Sequence, residues 1–256
     1  MRACPPSRSP SPPPAGARTA LRGGADRVEL CAALELGGVT PSQGLIEAAV
    51  ETGVAVHVLV RPRPGDFVYD ADELALTERE LRAAIRSGAA GVVVGALTRD
   101  GRIDRPAVAR LAALARAEHP AIRVTVHRAL DHSSDPVLAL ADLAGLPAES
   151  RIDRVLTSGG ASRAGLGLET LRRLVDSGSG IEVMAGGGVT IADIPLLVGV
   201  GVDAVHLSAK RTVTAAPTSG TRPALGAQDA AAHSVTDAAI VAEARAALDT
   251  AARRQG

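Results

Sequence analysis

From residue 26 onward the chain repeats one pattern. A short run of β-branched and apolar residues is followed by a few polar groups, a Gly- or Pro-containing turn, and a stretch with helical spacing. Strand-like runs occupy residues 27–31, 54–60, 91–97, 122–127, 154–157, 181–184 and 204–207. Helical patterns lie between them at 41–52, 77–87, 104–118, 135–143, 162–177 and 190–200, and an Ala-rich helix over 236–252 closes the chain. Several starts carry caps: Thr40 before Pro41, Thr77 with Glu80, Asp104 before Pro106, Asp135 before Pro136, and Thr190. Residues 17–22 read as a short helix ended by Gly23 and Gly24.

Strand, helix, strand at intervals of roughly 30 residues is the pattern of a parallel sheet. The repeats, with near-continuous apolar strands, predict a TIM-type (β/α)8 barrel. An open dinucleotide-binding sheet is the alternative, but no Gly-x-Gly-x-x-Gly follows the first strand. Closure of such a barrel needs an eighth strand. The place for it is residues 1–16, which are Pro/Ser-rich and predict a disordered tail. The first strand is therefore expected to be missing or replaced by that tail. The strand at 26–31 would then keep an unpaired edge, which invites association between copies. Residues 17–256 form one barrel domain, with a flexible loop at about 214–234.

Composition narrows the partners. The 256 residues are 46% hydrophobic and 22% charged with zero formal net charge, which suits a globular core and argues against nucleic acid. Phe67 and Tyr69 are the only aromatics besides histidine, so base stacking is poorly supported. No apolar run is long enough to span a bilayer, and no apolar stretch follows Arg2 as in a secretory signal. The two cysteines, Cys4 and Cys31, make no disulfide framework, and a cytoplasmic location is expected.

In a barrel the chemistry gathers at the C-terminal ends of the strands. Alternation puts Glu29 with Cys31, His57 with Arg61, Thr125 with His127, and His206 with Ser208 on common faces. If these point inward, Glu29, Arg61, His127 and His206 converge as candidate catalytic groups. The competing expectation is a structural ion pair between Glu29 and Arg61 and a satisfied core histidine at 127. Gly186, Gly187 and Gly188 lead towards a helix start and, with Ser208 and Lys210, form a candidate anion site; ligand-free tight turns are the alternative. Cys31 is either a small buried apolar group or a soft ligand for Cu(I), with Met184 or a histidine as partner. Schiff-base chemistry would have only Lys210 to use.

Several longer motifs stand in one order: Gly24-Ala-Asp-Arg-Val-Glu-Leu-Cys31, Gly37-Gly-Val-Thr-Pro-Ser42, Val60-Arg-Pro-Arg-Pro-Gly-Asp-Phe-Val-Tyr69, Thr125-Val-His-Arg-Ala-Leu-Asp131, Met184-Ala-Gly-Gly-Gly-Val189 and His206-Leu-Ser-Ala209. In these the chain resembles the copper homeostasis protein CutC family. The resemblance implies a cytoplasmic barrel linked to copper tolerance, with copper bound through cysteines, Cys31 among them. Leu207 stands where many members have Cys, Lys210 where Arg is usual, and the family's acidic first strand has no counterpart here. The functional expectation is copper homeostasis with a small-molecule or metal ligand. The alternative is a lyase- or isomerase-type enzyme acting on a small phosphorylated or carboxylated metabolite at the mouth.

Overall fold

The computed structural model describes residues 2–4, 13–214 and 232–254. Seven strands follow the expected pattern: β2 (Arg27–Leu30), β3 (Ala55–Leu59), β4 (Gly91–Val94), β5 (Arg123–Val126), β6 (Arg154–Thr157), β7 (Glu182–Gly186) and β8 (Ala204–His206). All pair in parallel, and the ladder runs β8-β7-β6-β5-β4-β3-β2. The barrel architecture expected from the repeats is therefore present.

The head of the Pro/Ser-rich segment replaces the conventional first strand. Residues Arg2–Cys4 form β1, parallel to β8 with Cys4 opposite His206. The expected disordered tail over 1–16 is corrected at both ends, because helix α1 also begins early, at Pro13 (Pro13–Arg22). Proline is tolerated in the first turn of a helix, where its missing N–H would have had no partner. Residues 5–12 lie outside the described part of the chain. The ladder ends at β1 on one side and β2 on the other. The edge of β2 is not laid open to solvent, since all four of its residues are buried.

Alternation along these strands sorts side chains into two populations. Val28, Val56, Val58, Val92, Val94, Val124, Val126, Val155, Val183 and Val205 belong to the main core with the surrounding helices. The other set fills the barrel in layers. At the N-terminal end His57 is surrounded by Arg27, Arg154 and Arg123, and Glu182 bridges Arg123 and Arg154. Above it two apolar groups, Leu156 with Met184 and Ala204, and Cys31 with Leu59 and Val93, plug the interior. The polar strand ends lie above the plug.

The helices are α2 (Gln43–Val50), α3 (Ala71–Arg86), α4 (Arg105–Glu118), α5 (Pro136–Ala144), α6 (Leu168–Asp176), α7 (Ile194–Gly199) and α8 (Ala238–Arg253). Asp104 and Asp135 cap α4 and α5 as expected. Three starts differ. Ser42, not Thr40, caps α2, because Thr40 donates to the Arg61 carbonyl and accepts from the Arg61 N–H. Helix α3 begins a turn and a half before Thr77, at a capping box formed by Asp70 and Glu73. Thr77 sits inside that helix and donates to the Glu73 carbonyl. Helix α6 begins at Leu168, after a short 3-10 turn at Ala164–Leu166. The expected loop at 214–234 is flanked by a hairpin of β9 (Lys210–Thr214) and β10 (Ala232–Thr236); residues 215–231 lie outside the described part.

Because the Asp70 carboxylate meets the Glu73 N–H at 2.8 Å and the Glu73 side chain returns to the Asp70 N–H, Asp70→Ala should lower unfolding free energy by about 1 kcal/mol. A urea titration followed by circular dichroism would show this as a lower midpoint at unchanged slope.

Candidate functional site

A cavity of about 380 Å3 opens at the C-terminal ends of the strands. Glu29, Arg61, His127 and His206 all line it, so the four groups placed together by alternation do meet. Gly187, Gly188 and Ser208 line it as well. Three expected residues do not. Gly186 lies behind the wall, where its missing side chain leaves room for Leu156 and His206. Lys210 is exposed on the β9–β10 hairpin, away from the cavity lining, which also removes it as a Schiff-base candidate. Cys31 is buried beneath, against Leu59 and Val93. The turn after β7 is not the helix-terminus anion site expected. Thr190 and the Asp193 carboxylate cap it, and Arg163 pairs with that carboxylate.

Arg61 is the dominant charge at the mouth. It is 5% exposed, and its guanidinium donates to main-chain carbonyls: Nη1 to Gly38 at 2.9 Å and Nη2 to Gly65 at 2.6 Å. The Phe67 ring lies beneath the guanidinium carbon at 4.9 Å. Among the described residues its Nε has no hydrogen-bond partner and no carboxylate pairs with it. The expected Glu29–Arg61 ion pair is thus replaced by a cradle of carbonyls. That cradle draws the loops after β2 and β3 to one point, which is why the motif surrounding Arg61 is rich in Gly and Pro.

Glu29 is 3% exposed, and one of its carboxylate oxygens lies 3.8 Å from His206 Nδ1. His127 Nδ1 accepts the Ala129 N–H at 3.1 Å, which places the ring proton on Nε2. That Nε2 is buried with no hydrogen-bond partner among the described residues. Burial first, and the nearby Arg61 charge second, push His127 down to about 3, so the ring is a neutral N–H donor at ordinary pH. Phe67 packs on it with centroids 4.8 Å apart. The site therefore sets a guanidinium and a neutral imidazole N–H beside a carboxylate, an arrangement suited to an anionic or carbonyl oxygen next to a labile proton.

Leu36, Phe67, Arg128, His132 and Leu156 also line the cavity and are not among the candidate site residues expected from the sequence, although Phe67 and Arg128 fall in stretches at the strand ends. Arg128 and His132 sit in a 3-10 turn after β5, Arg128–His132. Strand alternation says nothing about side chains there. Their motif, His127-Arg-Ala-Leu-Asp131, was the available signal.

The profile of the CutC family matches residues 13–211. The chain belongs to the CutC family. It is 45% identical over 199 residues to a CutC family protein of Vibrio vulnificus (strain YJ016), covering 75% of this chain and 76% of that one. With a CutC family protein of Sinorhizobium medicae (strain WSM419) the identity is 40% over 243 residues, covering 94% and 95%. The crystal structure of CutC from Streptococcus agalactiae, described as a candidate copper homeostasis protein, is similar at a TM-score of 0.64 and 31% identity, covering 72% of this chain and 89% of that one. A thiamine phosphate pyrophosphorylase from Pyrococcus furiosus, 16% identical at a TM-score of 0.53, shares the fold alone.

The copper link of CutC makes Cys31 and Met184 the soft side chains to test. They do not come together as a site. Cys31 packs with Leu59 and Val93, whereas Met184 packs with Leu156 and Ala204 and accepts from Arg27 at 3.4 Å. Among the described residues no cluster of three or more His, Cys, Asp and Glu side chains is placed to hold a metal ion. No described helix is long and apolar enough to cross a membrane.

His57 is also pushed down to about 3, by burial and then by Arg27, Arg154 and Arg123. Both histidines have folded values below the unfolded 6.5. The unfolded chain then binds more protons as pH falls, so the stability they contribute is present above 6.5 and declines towards 3. Between pH 6.5 and 5 each should add a slope that rises from about 0.7 towards about 1.4 kcal/mol per pH unit. Urea unfolding across that window should show the decline, and His127→Gln should make it shallower.

Proposed function

We propose that this CutC protein is a barrel enzyme of lyase or isomerase type that binds a small carboxylated or phosphorylated metabolite in its mouth, and that any part in copper homeostasis runs through that chemistry. The observation that carries the reading is Arg61, a buried cation facing a cavity, answered by carbonyl dipoles and no carboxylate among the described residues. A buried charge is costly unless paired, and an anionic ligand would complete it. Arg61 and the His127 N–H would hold an oxygen on which negative charge develops. Glu29, beside His206, would take the proton from the adjacent carbon, and the released electron pair would pass to that oxygen. We place the protein in the cytoplasm, in keeping with its two cysteines.

Direct copper binding through Cys31 is the second reading, supported by family membership. The apolar packing of Cys31 and the separate engagement of Met184 favour the first.

Isothermal titration with inorganic phosphate and short carboxylates should show Arg61→Gln weakening binding by about tenfold or more; wild-type affinity in that variant would overturn the proposal. Deuterium exchange from solvent into a panel of 2-oxo acids, read by NMR, should be lost in Glu29→Gln while binding persists. Competition for Cu(I) against a chromophoric chelator should give the same affinity for wild type and Cys31→Ala. A tenfold loss there would restore the copper-binding reading.

A further inference from the structure

A second guanidinium stands at the mouth, more exposed than the first but also held by the fold. Arg128 donates from Nε to Asp131 at 2.7 Å and from Nη2 to Ser158 Oγ at 3.1 Å. Its Nη1 makes no hydrogen bond with the described residues. Asp131 is almost wholly buried and is itself clamped by the Thr157 hydroxyl and the N–H groups of Ser158 and Gly160. The Asp131 charge is thus shared with the end of β6, and the Arg128 guanidinium is fixed in orientation with one edge unused.

Both arginines lie against a glycine at positive φ that lines the cavity. A Cβ on Gly37 would come within 3.1 Å of Arg61 Nη1, and one on Gly187 within 2.9 Å of Arg128 Cζ. A side chain at either position would push the guanidinium out of place. Arg61 belongs to the arc of β2 and β3 through Gly38 and Gly65, and Arg128 to the arc of β5 to β7 through Ser158 and Gly187. Arg61 follows β3 and Arg128 follows β5, two places apart in the ladder, and Arg128 reaches on to Ser158 after β6 and Gly187 after β7, so the two cations line the cavity from different strand ends.

Resting on the reading that the mouth binds an anion, we propose that its ligand carries two separated anionic groups, one held by Arg61 and the other by Arg128, with Asp131 as the positioning residue for Arg128. The ligand class is a short dicarboxylate or a phosphorylated carboxylic acid.

The test uses the full chain and probes of stated chemistry: straight-chain dicarboxylates from malonate to adipate, the monocarboxylates of matching length, and 3-phosphoglycerate, each by isothermal titration. In the wild type the best dianion should bind about tenfold or more tightly than its matching monoanion. Arg128→Gln should abolish that preference by weakening dianions far more than monoanions, with an unchanged circular dichroism spectrum showing that the variant is folded. Asp131→Asn should reduce the preference in the same selective way, with Arg128→Lys falling between. Arg61→Gln should weaken both classes. A wild type that binds monoanions and dianions alike, or an Arg128→Gln variant that keeps the preference, overturns the proposal and leaves the anion-binding mouth standing. A wild type that binds neither class overturns the mouth reading and this proposal with it.

Discussion

The Arg61 guanidinium is the tie on which the mouth depends. Its hydrogen bonds to the Gly38 and Gly65 carbonyls join the loop after β2 to the loop after β3. Thr40 reinforces the same junction by bonding to the backbone of Arg61 itself. Carbonyl dipoles stabilise a buried cation without neutralising it. The field that remains is felt by His127, which burial and then Arg61 hold neutral, and it underlies the proposed anion-binding role of the cavity. The same guanidinium thus joins two loops and, after burial, adds to the downward push on His127.

The barrel interior handles charge differently at its two ends. At the N-terminal end Glu182 bridges Arg123 and Arg154, so cations there meet a carboxylate within the protein. At the C-terminal end Arg61 bonds to main-chain carbonyls and forms no ion pair among the described residues, and Arg128 shares its carboxylate with a strand end. The apolar plug of Leu59, Val93, Leu156, Met184 and Ala204 separates the two. A closed ring at one end and an open one at the other is what a ligand site built on a stable scaffold requires. Cys31 lies within the plug, against Leu59 and Val93, and belongs to no metal-holding cluster among the described residues.

Much of this was legible in the chain before the structure. Seven strands and the convergence of Glu29, Arg61, His127 and His206 follow from period-two alternation, because a parallel strand in a barrel must put every second residue inside. Lys210 and Gly186 were misplaced because alternation stops where a strand ends. Lys210 belongs to an antiparallel hairpin, and Gly186 makes room for its neighbours. Arg128, in the motif after β5, was not chosen with the four candidates because a 3-10 turn obeys no strand period. Strand β1 escaped because three residues before a proline run carry too little pattern to read. The start of α3 was misjudged because two acidic cap arrangements, at Asp70 and Thr77, compete locally, and only packing selects between them.

The sequence by itself determined the repeat, the parallel barrel, the family and the four polar groups at the strand ends, since these depend on local periodicity and residue type. Tertiary structure alone decided that Arg61 is cradled by carbonyls and not by Glu29, that His127 is a neutral donor, that Cys31 and Met184 are kept apart, and that Arg128 joins the mouth. Each of these depends on which atoms from distant segments come within hydrogen-bond reach, and on how deeply they are buried. Neither quantity is a property of any stretch of chain taken alone.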